Sequence, residues 1–283
     1  MKTGLVLEGG AMRALFSAGV LDVLMENEIL FDGLIGVSAG AAFGCNYKSS
    51  QPGRTLRYNI KYCQNPRYCS FRSLLKTGDL FGVDFCYHEI PEKLDPFDTE
   101  AFDRSPVPFY LVCTSVETGQ PVYHCCEKCG YDTLEWIRAS ASMPLASRIV
   151  EIDGFKLLDG GISDSIPLRY FQSIGYPRNV VILTQPQEYR KTKNKMLPLI
   201  RFLFRQYPQF IEAAARRHQM YNEEKSYVYE QARQGNVFVI QPPAPLKIGH
   251  IEHHPQKLEE VYAAGRETAF HVLDDLRAFL GQG

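Results

Sequence analysis

Apolar residues recur along this chain in two rhythms. Short runs rich in Val, Ile and Leu lie at residues 3–8, 32–37, 107–116, 179–184 and 237–241. Their near-continuous apolar character predicts strands buried on both faces. Residues 121–124 read as a strand returning from 107–116 through Thr118-Gly119-Gln120, and residues 149–152 and 155–158 flank Asp153-Gly154, a two-residue hairpin turn. Between the strands, residues 13–26 predict a helix that is apolar nearly all round. Residues 39–47 predict a small-residue helix, 134–140 a short one and 256–280 a long final one. Strands alternating with helices predict a layered α/β fold with a largely parallel central sheet. The pattern changes near residue 187, where residues 188–235 turn charged, aromatic and helical. The expected organisation is a compact domain over 3–185 and a mainly helical C-terminal extension, 186–283, packed on it.

Composition narrows the classes. The 283 residues carry 31 Lys and Arg against 32 Asp and Glu, a net charge of -1. No global field therefore points to nucleic acid. No window approaches 18 uninterrupted apolar residues, so no transmembrane helix is expected. The first residues run directly into a strand without the apolar stretch of a signal peptide, which sets the expected location as cytoplasmic. Cys125, Cys126 and Cys129 lie together, but Cys63 and Cys69 are six apart and no histidine pair accompanies them. Reduced thiols rather than a zinc site are the expectation, with no metal called.

Three motifs bear on chemistry. Gly36-Val37-Ser38-Ala39-Gly40 stands between a strand and a helix. Such an elbow forces the serine into a strained turn, lifts its hydroxyl above the sheet and aims a helix N-terminus at it. Glu8-Gly9-Gly10-Ala11-Met12-Arg13-Ala14 also follows a strand and opens a helix. Its small residues expose successive N–H groups suited to an oxyanion or a phosphate. A dinucleotide loop would need glycine where Ala11 stands, and a tight turn without chemistry is the bland alternative. Leu158-Asp159-Gly160-Gly161 closes the second hairpin, and alone would be an ordinary turn.

Taken in that order, the acidic-Gly-Gly-x-x-Arg loop, the G-x-S-x-G elbow and the late Asp-Gly-Gly resemble the pattern of patatin-like phospholipases, and bacterial members in particular. Ala139-Ser140-Ala141-Ser142-Met143-Pro144 resembles the small-residue segment that precedes the aspartate in that family. The resemblance covers residues 3–185 and implies a three-layer patatin-like fold. It implies a lipid acyl hydrolase with Ser38 as nucleophile and Asp159 as base, and no histidine. Gly9, Gly10 and Ala11 would form the oxyanion hole and Arg13 would brace that loop. Gly36, Gly40 and Gly160 would support the turns. The substrate would be a lipid or another acyl ester, with no cofactor. Ala11 and Ala14 depart from the glycines common in the family. Alanine keeps the N–H donor, but at positive φ it would be strained.

Two other readings remain open at this level. An α/β-hydrolase triad could draw a histidine from His218, His250, His253, His254 or His271, although the elbow comes early in the chain for that fold. A scaffold without activity could bind membrane surfaces. The motive is the segment 191–205, where Lys191, Lys193, Lys195, Arg201 and Arg205 alternate with bulky apolar residues. Peripheral membrane contact through it is expected under the hydrolase reading as well. Oligomeric state is not legible.

Overall fold

The computed structural model describes residues 1–281. Eight strands form one sheet: β1 (Thr3–Leu7), β2 (Gly33–Val37), β3 (Phe109–Ser115), β4 (Pro121–Cys126), β5 (Val150–Ile152), β6 (Phe155–Asp159), β7 (Arg178–Ile182) and β8 (Val237–Ile240). The run β3-β2-β1-β7-β8 is parallel throughout, and β4, β5 and β6 add antiparallel pairs at the β3 end. The first four α-helices are α1 (Leu15–Glu26), α2 (Ala39–Lys48), α3 (Arg54–Tyr62) and α4 (Phe71–Thr77). They are followed by α5 (Thr99–Arg104), α6 (Tyr131–Ser140) and α7 (Leu168–Ser173), then α8 (Leu197–Leu203), α9 (Pro208–Arg233), α10 (Pro255–His271) and α11 (Leu273–Leu280).

The period-two side-chain direction of a strand explains the layering. Leu5 and Leu7 of β1 face a core shared with α1, α2 and α10, while Val6 between them faces α7 and α9. Val181 of β7 likewise faces opposite to Val180 and Ile182. Both faces are therefore covered, which gives three layers. Close packing of α10 on α1 relies on two glycines. A Cβ at Gly265 would lie 2.0 Å from the carbonyl oxygen of Phe16, and one at Gly19 would lie 2.1 Å from that of Tyr262.

The hairpin turn at Asp153-Gly154 is present, with φ values of 49° and 78°. One sequence reading needs correction. The final helix is not continuous: Val272, at φ -106° and ψ 5°, ends α10, and α11 then buries Leu273 and Leu276 in the core. Residues 54–104, whose apolar pattern predicts no regular element, hold α3 to α5 and a wide helical turn, Asp84–Leu94. The region after 185 is mainly helical, and its apolar run at 237–241 returns β8 to the sheet beside β7, as its pattern predicts.

One register fact positions the site. β4 pairs with one edge of β3 from Phe109 to Thr114. The other edge serves two strands, with β2 running parallel to it up to Val37 opposite Val112 and β6 running antiparallel down to Asp159 opposite Cys113. The C-terminal ends of β2 and β6 therefore meet head-on, one residue step apart along β3. Residues at those ends are forced together whatever their separation in sequence.

Candidate active site

Ser38 follows β2 at the start of α2, at φ 56° and ψ -125°. A non-glycine residue there costs on the order of 1–3 kcal/mol, so the surroundings must impose it. Its carbonyl accepts from the N–H groups of Ala41 and Ala42, each at 3.0 Å. Its own N–H donates to Ser140 Oγ at 3.0 Å, and that hydroxyl donates to the Val112 carbonyl at 2.6 Å. The flanking glycines are required by space. A Cβ at Gly36 would approach the nitrogen of Ala41 to 2.7 Å, and one at Gly40 the carbonyl oxygen of Leu7 to 2.7 Å.

Asp159 is almost fully buried at the end of β6. Ser38 Oγ donates to its Oδ2 at 2.6 Å, a short charge-assisted bond, and Gly161 N–H donates to Oδ1 at 2.8 Å. Backbone bonds clamp the same residue: its N–H donates to Ser142 O at 2.8 Å, and Thr114 Oγ1 donates to its carbonyl at 2.8 Å. Gly160 has no room for a side chain, since a Cβ would sit 2.1 Å from Val112 O. Burial raises the Asp159 carboxyl above the usual carboxylate range. The Arg217 guanidinium, the Ser38 and Gly161 hydrogen bonds and the Lys191 ammonium work against that rise.

The loop after β1 lies against the serine. A Cβ on Gly9 would come within 2.9 Å of Ser38 Cβ. Ala11 sits at φ 49°, the strained position that alanine tolerates poorly. The N–H groups of Gly9, Gly10 and Ala11 meet no acceptor among the described residues. Glu8, the acidic residue of the loop motif to which the sequence assigned no role, anchors this loop. Its carboxylate accepts from Thr184 N–H at 2.6 Å and from the Tyr221 hydroxyl at 2.7 Å.

Arg13 does not brace the loop through its side chain. Its backbone N–H donates to Gly10 O at 3.1 Å, but its Nε is buried without any partner. Lys191 also departs from expectation. It does not share the outward face of Lys193 and Lys195; it turns inward over the Tyr221 ring, its Nζ 4.4 Å from the centroid. Lys193, Lys195, Arg201 and Arg205 do reach solvent, beside exposed Met196, Leu199, Phe202 and Leu203.

Two cavities meet at Ser38. One, of about 130 Å³, is walled by apolar side chains from α2, from the 54–104 region and from α6, including Ala42, Phe43, Tyr87, Ile90 and Ile137. The single charged group in its wall, Arg54, is occupied by Asn46 Oδ1 at 2.8 Å and by the Asp95 carbonyl at 2.7 Å. The other, of about 60 Å³, is polar and is lined by Glu8, Arg13, Asp159, Lys191, Arg217 and His250 among others. Ala11, Ser38 and Met143 line both. Of the five histidines considered for a triad, only His250 lines a cavity that contains Ser38. The ring nitrogens of His218, His253 and His271 lie against backbone carbonyls, and that of His254 against Glu252. Among the described residues, no histidine bonds to Ser38 or Asp159.

Comparison with known proteins places the chain in a family. A model described as patatin-like phospholipase matches residues 5–171. A second, described as a domain of unknown function (DUF6363), matches residues 207–281. The chain is 30% identical over 275 residues to the uncharacterized protein YjjU of Escherichia coli K12, covering 94% of this chain and 75% of that protein. It is 28% identical over 183 residues to lysophospholipase nte1 of Aspergillus terreus, covering 61% of this chain but only 11% of that much longer protein. Among solved structures, VipD from Legionella pneumophila aligns at a TM-score of 0.49 and 12% identity, covering 97% of this chain and 67% of that one. The chain belongs to the patatin-like phospholipase family. Membership supports lipid acyl hydrolysis as its class of activity. No helix among the described residues is long and apolar enough to cross a membrane.

Proposed function

We propose that this chain hydrolyses acyl esters of lipids through a Ser38–Asp159 dyad and an acyl-enzyme. The observation that carries this reading is the 2.6 Å bond between buried Asp159 and buried Ser38, which lines an apolar cavity. A carboxylate is a weaker base than imidazole, so it serves here only if held dry and directly against the hydroxyl. Ser38 Oγ attacks the ester carbonyl as its proton passes to Asp159 Oδ2. The carbonyl oxygen becomes an oxyanion facing the free N–H groups of Gly9, Gly10 and Ala11. The C–O bond to the alcohol breaks, Asp159 returns its proton to that alcohol, and the acyl group remains on Ser38. Water then attacks with Asp159 as base again and releases the fatty acid.

The apolar cavity supports an acyl chain as the group retained on Ser38. The solvent-facing cations and apolar side chains around α8 support shallow contact with an anionic bilayer, which brings the dyad to an insoluble substrate. A fluorophosphonate probe with mass-spectrometric site mapping tests the dyad. Native protein is expected to label at Ser38, and Ser38→Ala to lose both labelling and about 10³-fold or more of its p-nitrophenyl ester hydrolysis. Folded native protein that stays unlabelled and inactive would overturn the reading.

A further inference from the structure

The polar cavity beside Ser38 collects more positive than negative charge, and none of its cations is ion-paired among the described residues. Arg13 enters from the loop after β1, Lys191 from the segment following β7, and Arg217 from α9. Among the described residues, no carboxylate lies within ion-pair distance of any of the three. Arg13 Nε is buried and bonded to nothing. Lys191 makes its hydrogen bonds to Asn222 through its backbone alone, so its ammonium is uncommitted except to the Tyr221 ring. Arg217 spends only Nε, on the Gly161 carbonyl at 2.5 Å. The two carboxylates in the wall are engaged elsewhere, Glu8 with Thr184 and Tyr221 and Asp159 with Ser38 and Gly161. Three cations against two carboxylates leave one positive charge in excess before His250 at the rim is counted.

Holding cations unpaired at close quarters is costly, and the cost is visible. Burial, reinforced by Arg217 and Arg13 and opposed by Glu8 and Asp159, pulls Lys191 down to about 8. Partial burial and the same three cations depress His250. Such an arrangement is stabilised when an anion enters and accepts the idle donors. The cavity of about 60 Å³ has room for several waters or one tetrahedral oxyanion with its ester link. It shares Ser38 with the apolar cavity, so a scissile ester at the serine would have one cavity for its acyl chain and the other for its alcohol portion.

We infer that Arg13, Lys191 and Arg217 form a phosphate subsite that receives the head-group phosphate of a glycerophospholipid whose acyl ester lies at Ser38. The inference rests on the proposed hydrolysis and extends it. Two of the three cations lie beyond the residues 5–171 matched by the patatin-like model, and Arg217 falls within the region of unknown function, residues 207–281. Head-group selection is thereby a role for that C-terminal region.

The test has two arms. In the first, native protein and Lys191→Met are assayed on a 1-acyl-glycerol 3-phosphate and on the monoacylglycerol with the same chain. Native protein is expected to prefer the phosphate-bearing lipid in kcat/KM by about 10- to 100-fold, the worth of a charged hydrogen bond. Lys191→Met is expected to lose that preference through KM, and Lys191→Arg to keep most of it. Equal preference in native and Lys191→Met proteins, with ester hydrolysis intact, would overturn the subsite and leave the hydrolase reading standing. The second arm needs no turnover. Ser38→Ala protein, with and without Lys191→Met, is titrated calorimetrically with inorganic phosphate and with glycerol 3-phosphate. Binding of glycerol 3-phosphate that Lys191→Met abolishes would support the subsite even if no ester were hydrolysed. Binding of inorganic phosphate alone, without lipid preference, would make it a free-anion site and overturn the head-group assignment. Binding of neither, without lipid preference, would overturn it outright.

Discussion

The two flanks of Ser38 are built on opposite principles. The apolar flank comes from α2, the 54–104 region and α6, all inside the part of the chain that matches the family model. The polar flank takes its start from the loop after β1 and from Asp159, but Lys191, Arg217, Tyr221 and His250 come from beyond residue 185. An apolar wall binds any chain of fitting size, because hydrophobic burial scales with area and carries little direction. A wall of idle cations costs stability when empty and discriminates sharply when filled. Under the proposed reading, the difference places the acyl side and the dyad in the shared core, and assigns selectivity toward the rest of the substrate to the segment that follows it.

The largest effect on that comparison comes at the junction. Asp159→Asn cannot accept the proton of Ser38, so loss of about 10³-fold in kcat is expected with either kind of substrate. Stability moves the other way. Burial gives the folded state a raised carboxyl, so the folded chain binds that proton more tightly than the unfolded chain does. Stability from this group therefore falls as pH rises from its ordinary value of about 3.8 through the raised value, and the deficit persists at neutral pH. The amide carries no such deficit, so thermal melts at pH 7 should show the variant at least as stable as native protein. A clearly lower Tm would show that the carboxylate is needed for the fold.

A smaller effect separates the inward from the outward cations of one segment. Replacing the solvent-facing Lys193, Lys195, Arg201 and Arg205 by Gln should weaken binding to anionic vesicles by about 10²-fold at low salt, since each charge near such a surface contributes on the order of 1 kcal/mol at most. Hydrolysis of a soluble ester should not change. Co-sedimentation that is equal for native and substituted protein would remove the bilayer from the account. The smallest expected effect concerns the apolar flank alone. Ala42→Phe places a ring in the cavity and should lower kcat/KM for long acyl chains by about 10-fold relative to short ones, as overpacking of a fixed wall is resisted. A uniform loss across chain lengths would mean that the acyl chain lies elsewhere.

Much of the fold was legible because it depends on local rules. The alternation of Leu5, Val6 and Leu7, the left-handed turn at Asp153-Gly154 and the crowding that demands glycine at 36 all follow from neighbouring residues and backbone sterics. What remained hidden depends on partners remote in the chain. The resemblance pairs Ser38 with Asp159, but nothing near Ser38 announces that β2 and β6 will share one edge of β3, the register that brings Asp159 to within 2.6 Å, 121 positions away. Ser140 and Glu8 become supports only because Val112, Thr184 and Tyr221 stand beside them. The break at Val272 is decided by where Leu273 and Leu276 find the core, not by any breaker residue. Lys191 looked like one more basic residue in a basic stretch, and only the packing of α9, which sets the Tyr221 ring and Arg217 beside it, turned it inward. Sequence determined most of the elements and the strained elbow at Ser38, because those are set by sterics over a few residues, and its resemblance to the family pointed to Ser38 and Asp159 as the proposed reacting pair. Tertiary structure decided which charges face the reaction and which face water, because that depends on how distant elements pack.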